Sequence, residues 1–218
     1  MSTKTNRCCF ALALLACVLA GATAQAQKAG AVDAVRPQAT IQRSAAELPA
    51  EKGTDVAWND LLRTDQQGRV RVMLLDQSLI SLGPKSEVRV VRQAAASNQS
   101  SLELTYGKVR VRLTKPPGQR FELRTATAVA GVIGTDFGAD ASVPDTTHFI
   151  CLEGEVRISN ADPKVPGTVV CKGGYMTDVK ARQPPAEPTP ATAEHMENWR
   201  RNNEPESPDD ATHHADHH

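Results

Sequence analysis

Residues 107–113 read GKVRVRL, a glycine followed by strict alternation of charged and branched apolar side chains. Val109, Val111 and Leu113 fall on one side of an extended chain, and Lys108, Arg110 and Arg112 fall on the other. That is the pattern of a strand with one face on a core and one in water. The same period of two recurs outward in both directions: GRVRVML at 68–74, EVRVV at 87–91, SLELTY at 101–106, RFELRT at 120–125 and GEVRIS at 154–159. The glycine-led form returns at Gly68, Gly107 and Gly154, which suggests related supersecondary units without the constant spacing of a solenoid repeat.

Turn signals separate these runs: Gln66-Gln67-Gly68, Gly83-Pro84, Ala96-Ser97-Asn98, Pro116-Pro117-Gly118, Pro144-Asp145 and Asp162-Pro163. Many short strands punctuated in this way indicate an all-β fold: a sandwich, a jelly-roll-like arrangement or a short β-solenoid. No long amphipathic helix is expected inside residues 53–178. Aromatic residues make up only 4% of the chain, so the core must rest on Val, Leu, Ile and Ala, and a large aromatic-lined enzyme pocket is disfavoured.

Between RFELRT and HFICLEGEVRIS lies TATAVAGVIGTDF, residues 125–137, small and uncharged until Asp136. It reads as a strand pair or a tight crossover buried on both faces, with Gly131 and Gly134 supplying positive φ or close backbone approach. A phosphate loop is the competing reading. The spacing lacks the lysine-serine ending of a P-loop and the pattern of a dinucleotide fingerprint, and no helix follows.

The ends of the chain differ in kind from its middle. Lys4 and Arg7 precede the apolar run CCFALALLACVLAGATA, and Ala24-Gln25-Ala26 forms a small-x-small site before Gln27. Residues 1–26 are therefore expected to be a signal peptide, which places the mature protein in the periplasm without a transmembrane span. Leu14-Leu15-Ala16-Cys17 also resembles a lipoprotein box, a minority alternative in which Cys17 carries a lipid. Residues 27–52 read as a linker or a weak first strand, 53–180 as the β domain, and 181–218, rich in Pro, charge and His, as a disordered tail with a helical turn or two near 193–201.

Three of the five cysteines leave with the first 26 residues, and Cys151 and Cys171 remain as an even pair in an oxidising compartment. A disulfide between them is the expected arrangement, with two separately buried thiols as the alternative. The whole chain balances 25 basic against 25 acidic residues, and loss of Lys4 and Arg7 moves it slightly acidic. Neither this balance nor export favours a nucleic-acid partner.

Four segments taken together resemble the FecR domain family: LLRTDQQGRVRVMLLDQSLISLGPKSEVRV, LELTYGKVRVRL, FELRTATAVAGVIGTDF and HFICLEGEVRIS. That family carries a phrase close to RTPTAVVGVRGTEF before a LEGEV turn, and a DGS…LGPNS phrase upstream. The likeness spans residues 55–178, with Ala126 where proline is usual, Ile133 where arginine is common and Gln77 where glycine is common. Gly131, Gly134, Asp136 and Gly154 are the structural positions the resemblance marks. It implies a role in envelope signalling, since known members join a cytoplasmic sigma-controlling segment to a periplasmic domain that contacts an outer-membrane receptor. Only six residues precede Arg7, so the likeness is to a free-standing exported FecR domain rather than to a direct sigma regulator.

Other residues offer weaker chemistry. Glu153 and Glu155 flank Gly154, and Asp136 lies nearby, yet no base or nucleophile accompanies them, so a turn is the simpler reading. His148 stands alone. His213, His214, His217 and His218 have spacings that suit Ni, Cu or Zn only weakly, and no cofactor or physiological metal is expected. The arginines Arg69, Arg71, Arg89, Arg110, Arg112 and Arg157 read first as a solvated outer face, and in the alternative reading they line up as a basic stripe for an acidic protein or polymer, of which Arg69, Arg71, Arg110 and Arg112 are the candidate partner contacts. The expectation is a non-enzymatic periplasmic protein-interaction module, with a cell-wall or carbohydrate-associated module as the alternative.

Overall fold

The computed structural model describes residues 27–93, 99–114, 120–132, 134–202 and 205. The chain weaves between two sheets. β1 (Lys28–Arg36) opens the first sheet, β2 (Ala39–Arg43) and β3 (Ala46–Pro49) the second, and β4 (Asp55–Ala57) returns to the first. β5 (Leu61–Thr64) lies in the second, the hairpin β6 (Arg69–Leu74) and β7 (Leu79–Leu82) in the first, and β8 (Glu87–Gln93) with β9 (Gln99–Tyr106) in the second. β10 (Lys108–Arg112) crosses back, followed by β11 (Arg120–Arg124) and β12 (Ala128–Val132) in the second sheet and β13 (Asp136–Asp140) and β14 (Thr146–Glu153) in the first. β15 (Glu155–Asn160) and β16 (Thr168–Lys172) finish the second sheet, β17 (Tyr175–Lys180) and β18 (Thr189–Pro190) the first, and α1 (Ala193–Asn202) ends the described chain.

Each sheet has nine strands, in the orders β18-β17-β14-β13-β10-β7-β6-β1-β4 and β16-β15-β12-β11-β9-β8-β5-β2-β3. Apart from the first turn-back in each sheet, strand number rises steadily from one end to the other, so the sandwich grows along its length as the chain passes back and forth. Described neighbours pair antiparallel, except for the parallel pair β9 and β11.

The core follows from the alternation. Val70, Val72 and Leu74 of β6, Val109 and Val111 of β10, and Phe137 and Ala139 of β13 point inward from the first sheet. They meet Leu62, Val88, Val90, Leu102, Leu104, Leu123 and Ile158 from the second. This is two half-buried sheets closing one apolar layer, which removes branched aliphatic surface from water at roughly 25 cal/mol per Å².

Three expectations change. Of the two readings of residues 27–52 the strand holds and the linker does not, and it is three strands rather than one: β1 sits between β4 and β6, and β2 between β3 and β5, so both belong inside the sheets. The tail is not disordered throughout, since β18 pairs with β17 and α1 packs on the first sheet up to Asn202. TATAVAGVIGTDF is a crossover, with β12 in one sheet and β13 in the other, but it is not buried on both faces. Ala128, Ala130 and Val132 are buried while Gly131 is exposed, because the outer face of a two-layer sandwich meets solvent. Among the described residues no helix is long and apolar enough to cross a membrane. The signal peptide, Cys17, Ile133, the turns at 96–98 and 116–118, and the histidines at 213–218 lie outside the described residues.

Candidate functional site

Register places two outward rows side by side on the first sheet. One runs Arg71, Ser81, Arg110, Gly138, Ile150, Met176, and the other Lys108, Asp140, His148, Asp178. α1 lies across them and, with both rows, walls a cleft of about 330 Å³ lined by Lys108, Asp140, His148, Asp178, His195 and Trp199 among others.

Gly138 explains why the helix seats there. A Cβ at this position would lie 2.5 Å from the Cε3 and Cζ3 atoms of Trp199 and 3.1 Å from Ile150 Cγ2, so the missing side chain is the socket for the indole. Lys108 Nζ stands 5.8 Å from the centre of the Trp199 ring, a cation over an aromatic face. The helix carries its own local signals. Thr192 Oγ1 accepts a hydrogen bond from His195 N at 3.1 Å as an N-cap, Glu194 sits in the first turn, and Glu197 pairs with Arg201 at 2.9 Å.

Arg110 lies under the other end of α1. Its residue is only 4% exposed, its Nε and Nη2 donate to the two oxygens of Asp136 at 2.9 and 2.7 Å, and its Nη1 donates to Arg200 O at 3.4 Å. The guanidinium thus neutralises a carboxylate and meets a carbonyl of the last helical turn, where a positive charge is favoured. Arg112 shares the same carboxylate at 3.6 Å with a half-exposed side chain. Asp136 is therefore an anchor for two arginines rather than an acid for catalysis.

The candidate basic stripe does not form an open row of charge. Arg110 is buried, and Arg71 is held by Asp33 at 2.6 Å. Arg69 lies apart, in a shallow depression with Arg36, Gln66 and Gln67. Arg89 and Arg157 belong to the second sheet, where Arg89 approaches Glu103 at 3.9 Å. Alternation put arginines on outer faces, as read, but carboxylates on adjacent strands pair with Arg71, Arg89, Arg110 and Arg112.

Of the four marked structural positions, Gly134 and Gly154 adopt positive φ, at 55° and 81°. A Cβ on Gly154 would also meet Gly134 O at 2.9 Å. Gly131 needs neither property, since a Cβ there would meet only Arg157 O at 3.9 Å. Glu153 and Glu155 flank this turn, and Glu155 reaches Lys172 at 3.8 Å. His148 Nδ1 contacts Asp178 at 2.6 Å. Among the described residues no cluster of three or more His, Cys, Asp or Glu is placed to hold a metal.

Cys151 and Cys171 are both buried and are free thiols in the structure, without the expected bridge. Burial pushes the Cys151 thiol up to about 12, with the neighbouring Cys171 adding to the effect, and burial raises Cys171 to about 11. The sequence reading missed Asp60 and Arg43. Asp60, 1% exposed, accepts from Arg43 Nε at 2.9 Å, Arg43 Nη2 at 2.7 Å and Ala57 N at 2.7 Å, and holds the guanidinium above its ordinary value. No local pattern announces a pair 17 residues apart.

Residues 60–157 match the family model described as FecR protein. These residues are a FecR domain. The FecR domain begins at the buried Asp60 and takes in Arg110, Asp136 and Gly138, while β1 to β4 and α1 lie outside the match. Two crystal structures described as a "putative anti-sigma factor" from Parabacteroides distasonis are similar at 15% identity with a TM-score of 0.54. The likeness covers 65% of this chain and 64% of each of those, and at that identity it speaks to fold alone. The comparison with curated proteins found no match.

Proposed function

We propose that this protein is an exported, non-catalytic module that binds another protein in envelope signalling. The observation that carries the reading is the FecR domain at 60–157. Two further features support it. The leading segment has the layout of a secretory signal, and the solved structures of similar fold are described in regulatory terms. The contact surface is the part of the first sheet's outer face that α1 leaves open. There Met73, Leu79 and Arg112 form one cross-strand row, with Met73 45% exposed. An exposed apolar side chain beside a half-exposed arginine supplies the core and rim of a small interface.

The test is photocrosslinking in living cells from Met73 and from Arg112, with the captured species identified by mass spectrometry. Arg110 is unsuited, because replacing it unseats a buried ion pair. Capture of an outer-membrane receptor or an inner-membrane transducer is expected. Crosslinks to glycan alone would replace this reading with a wall-associated module, and recovery of the protein only from the cytoplasm would remove the export step.

A further inference from the structure

Cys151 and Cys171 take no part in the binding surface, yet the fold brings them to one place. Cys151 sits on β14 in the first sheet, in register with Phe137 and Tyr175, and Cys171 sits on β16 in the second, in register with Val156. Both side chains face the shared core, and both residues are 0% exposed. They therefore meet across the sandwich, not along a ladder. Three residues beyond Cys171, Gly174 N donates to Cys151 O at 2.9 Å, which holds the end of β16 against β14, and both residues are covered from water. Cys151 Sγ has only weak acceptors otherwise, Glu153 O at 3.5 Å and Gly154 O at 3.4 Å.

We infer that Cys151 and Cys171 are a disulfide-forming site that bolts the two sheets together at the β14/β16 end, and that the bond is made while the chain folds and is sealed once the sandwich closes. The oxidant is a protein or small-molecule disulfide. The thiolate of one cysteine attacks a sulfur of that donor, forming a mixed disulfide and releasing one donor thiolate. The second cysteine's thiolate then attacks the protein sulfur of the mixed disulfide, closing the protein bond and releasing the other donor sulfur. The cysteine pair loses two electrons and two protons, and the donor becomes two thiols.

The timing follows from burial. Attack needs a thiolate with access to the donor, and in the folded core both thiols are protonated and covered. The unfolded chain has neither obstacle. The same cover keeps reductants from the finished bond, so this is a structural bolt and not a reversible switch.

The inference draws its oxidising compartment from the export reading, and the experiment separates the two. Full-length protein is reduced and unfolded in denaturant, then refolded with a mixture of oxidised and reduced glutathione. A second sample is refolded first under reduction and then given the same mixture. Peptide mass spectrometry is expected to find residues 151 and 171 linked, two hydrogens lighter, in the first sample. In the second, linkage is expected more than about tenfold more slowly. Free or separately glutathionylated cysteines in the first sample overturn the pairing. Equal rates in the two samples overturn the sealing. Thiol trapping in cells supplies the other arm: reduced thiols in cells with linkage on refolding means that export has failed, whereas no linkage in either means that this inference has failed.

Discussion

Gln77 shows how one residue departs from a family phrase at a definable physical cost. In the β6–β7 turn its amide donates to Leu74 O at 2.9 Å and its φ is 65°, the left-handed region that glycine occupies freely. A side chain there costs about 1–2 kcal/mol, partly offset by the greater freedom glycine has when unfolded. Gln77→Gly is expected to stabilise the protein by up to about 1 kcal/mol, seen as a melting temperature about 2–4 °C higher. An unchanged or lower value would contradict the strain argument. The core thiols make a second prediction at this scale. In the reduced protein their pKa values are raised in the folded state, from 9.0 to about 12 and about 11, so their contribution to stability is complete below pH 9. As pH climbs above 9, the unfolded chain ionises and the folded one does not, and stability falls by about 1.4 kcal/mol per pH unit per thiol until the folded values are reached. Urea midpoints across that window should fall more steeply for the reduced protein than for a Cys151→Ala/Cys171→Ala variant, and parallel curves would show that the thiols are not coupled to folding.

Among elements, α1 depends most on a partner elsewhere in the chain. Its N-cap, its acidic first turn and its internal ion pairs favour a helix, but ten residues are too few to hold one in water without packing. The packing comes from Trp199 in the gap left by Gly138. Gly138→Val should fill that gap and release the helix while β13 stays in its sheet, since valine suits a strand. Amide exchange over residues 193–202 is expected to accelerate at least about tenfold with the strand amides little changed. Retained protection would mean that other contacts hold the helix. Arg110 binds the same two elements more deeply, and its loss would leave the Asp136 carboxylate with only the half-exposed Arg112.

At the scale of the molecule, the FecR match and the folding unit are different objects. The matched residues 60–157 omit β1 to β4, although β1 lies beside β6 and β2 beside β5. They also omit Arg43, the partner of the buried Asp60, and β16 to β18. A fragment restricted to residues 60–157 would expose the flanks of both sheets and lose the Arg43–Asp60 ion pair together with the strands that cover it. It should lack a cooperative thermal transition, whereas residues 27–205 should show one. A sharp transition in the shorter fragment would make the outer strands dispensable.

The sequence by itself determined the strands whose side chains alternate, because period two is a local property. GKVRVRL, GRVRVML and GEVRIS are β10, β6 and β15, and the sets they bury are the valines, leucines and isoleucines that the pattern marked. It also carried the likeness to the FecR domain that residues 60–157 match, through phrases that recur in order. What lay beyond it was everything set by a neighbour distant in the chain. β1 and β2 carry mixed small and polar residues, and only their places beside β6 and β5 make them strands. Arg71 and Arg110 look like free charges until register sets Asp33 and Asp136 beside them. Cys151 and Cys171 stand twenty residues apart in the chain, and only their strands' places in facing sheets bring both into one core. Gly138 has no evident reason in its own segment, and the reason arrives about sixty residues later with Trp199. Alternation tells which side of a strand is buried, but contact across sheets decides what each outward side chain meets.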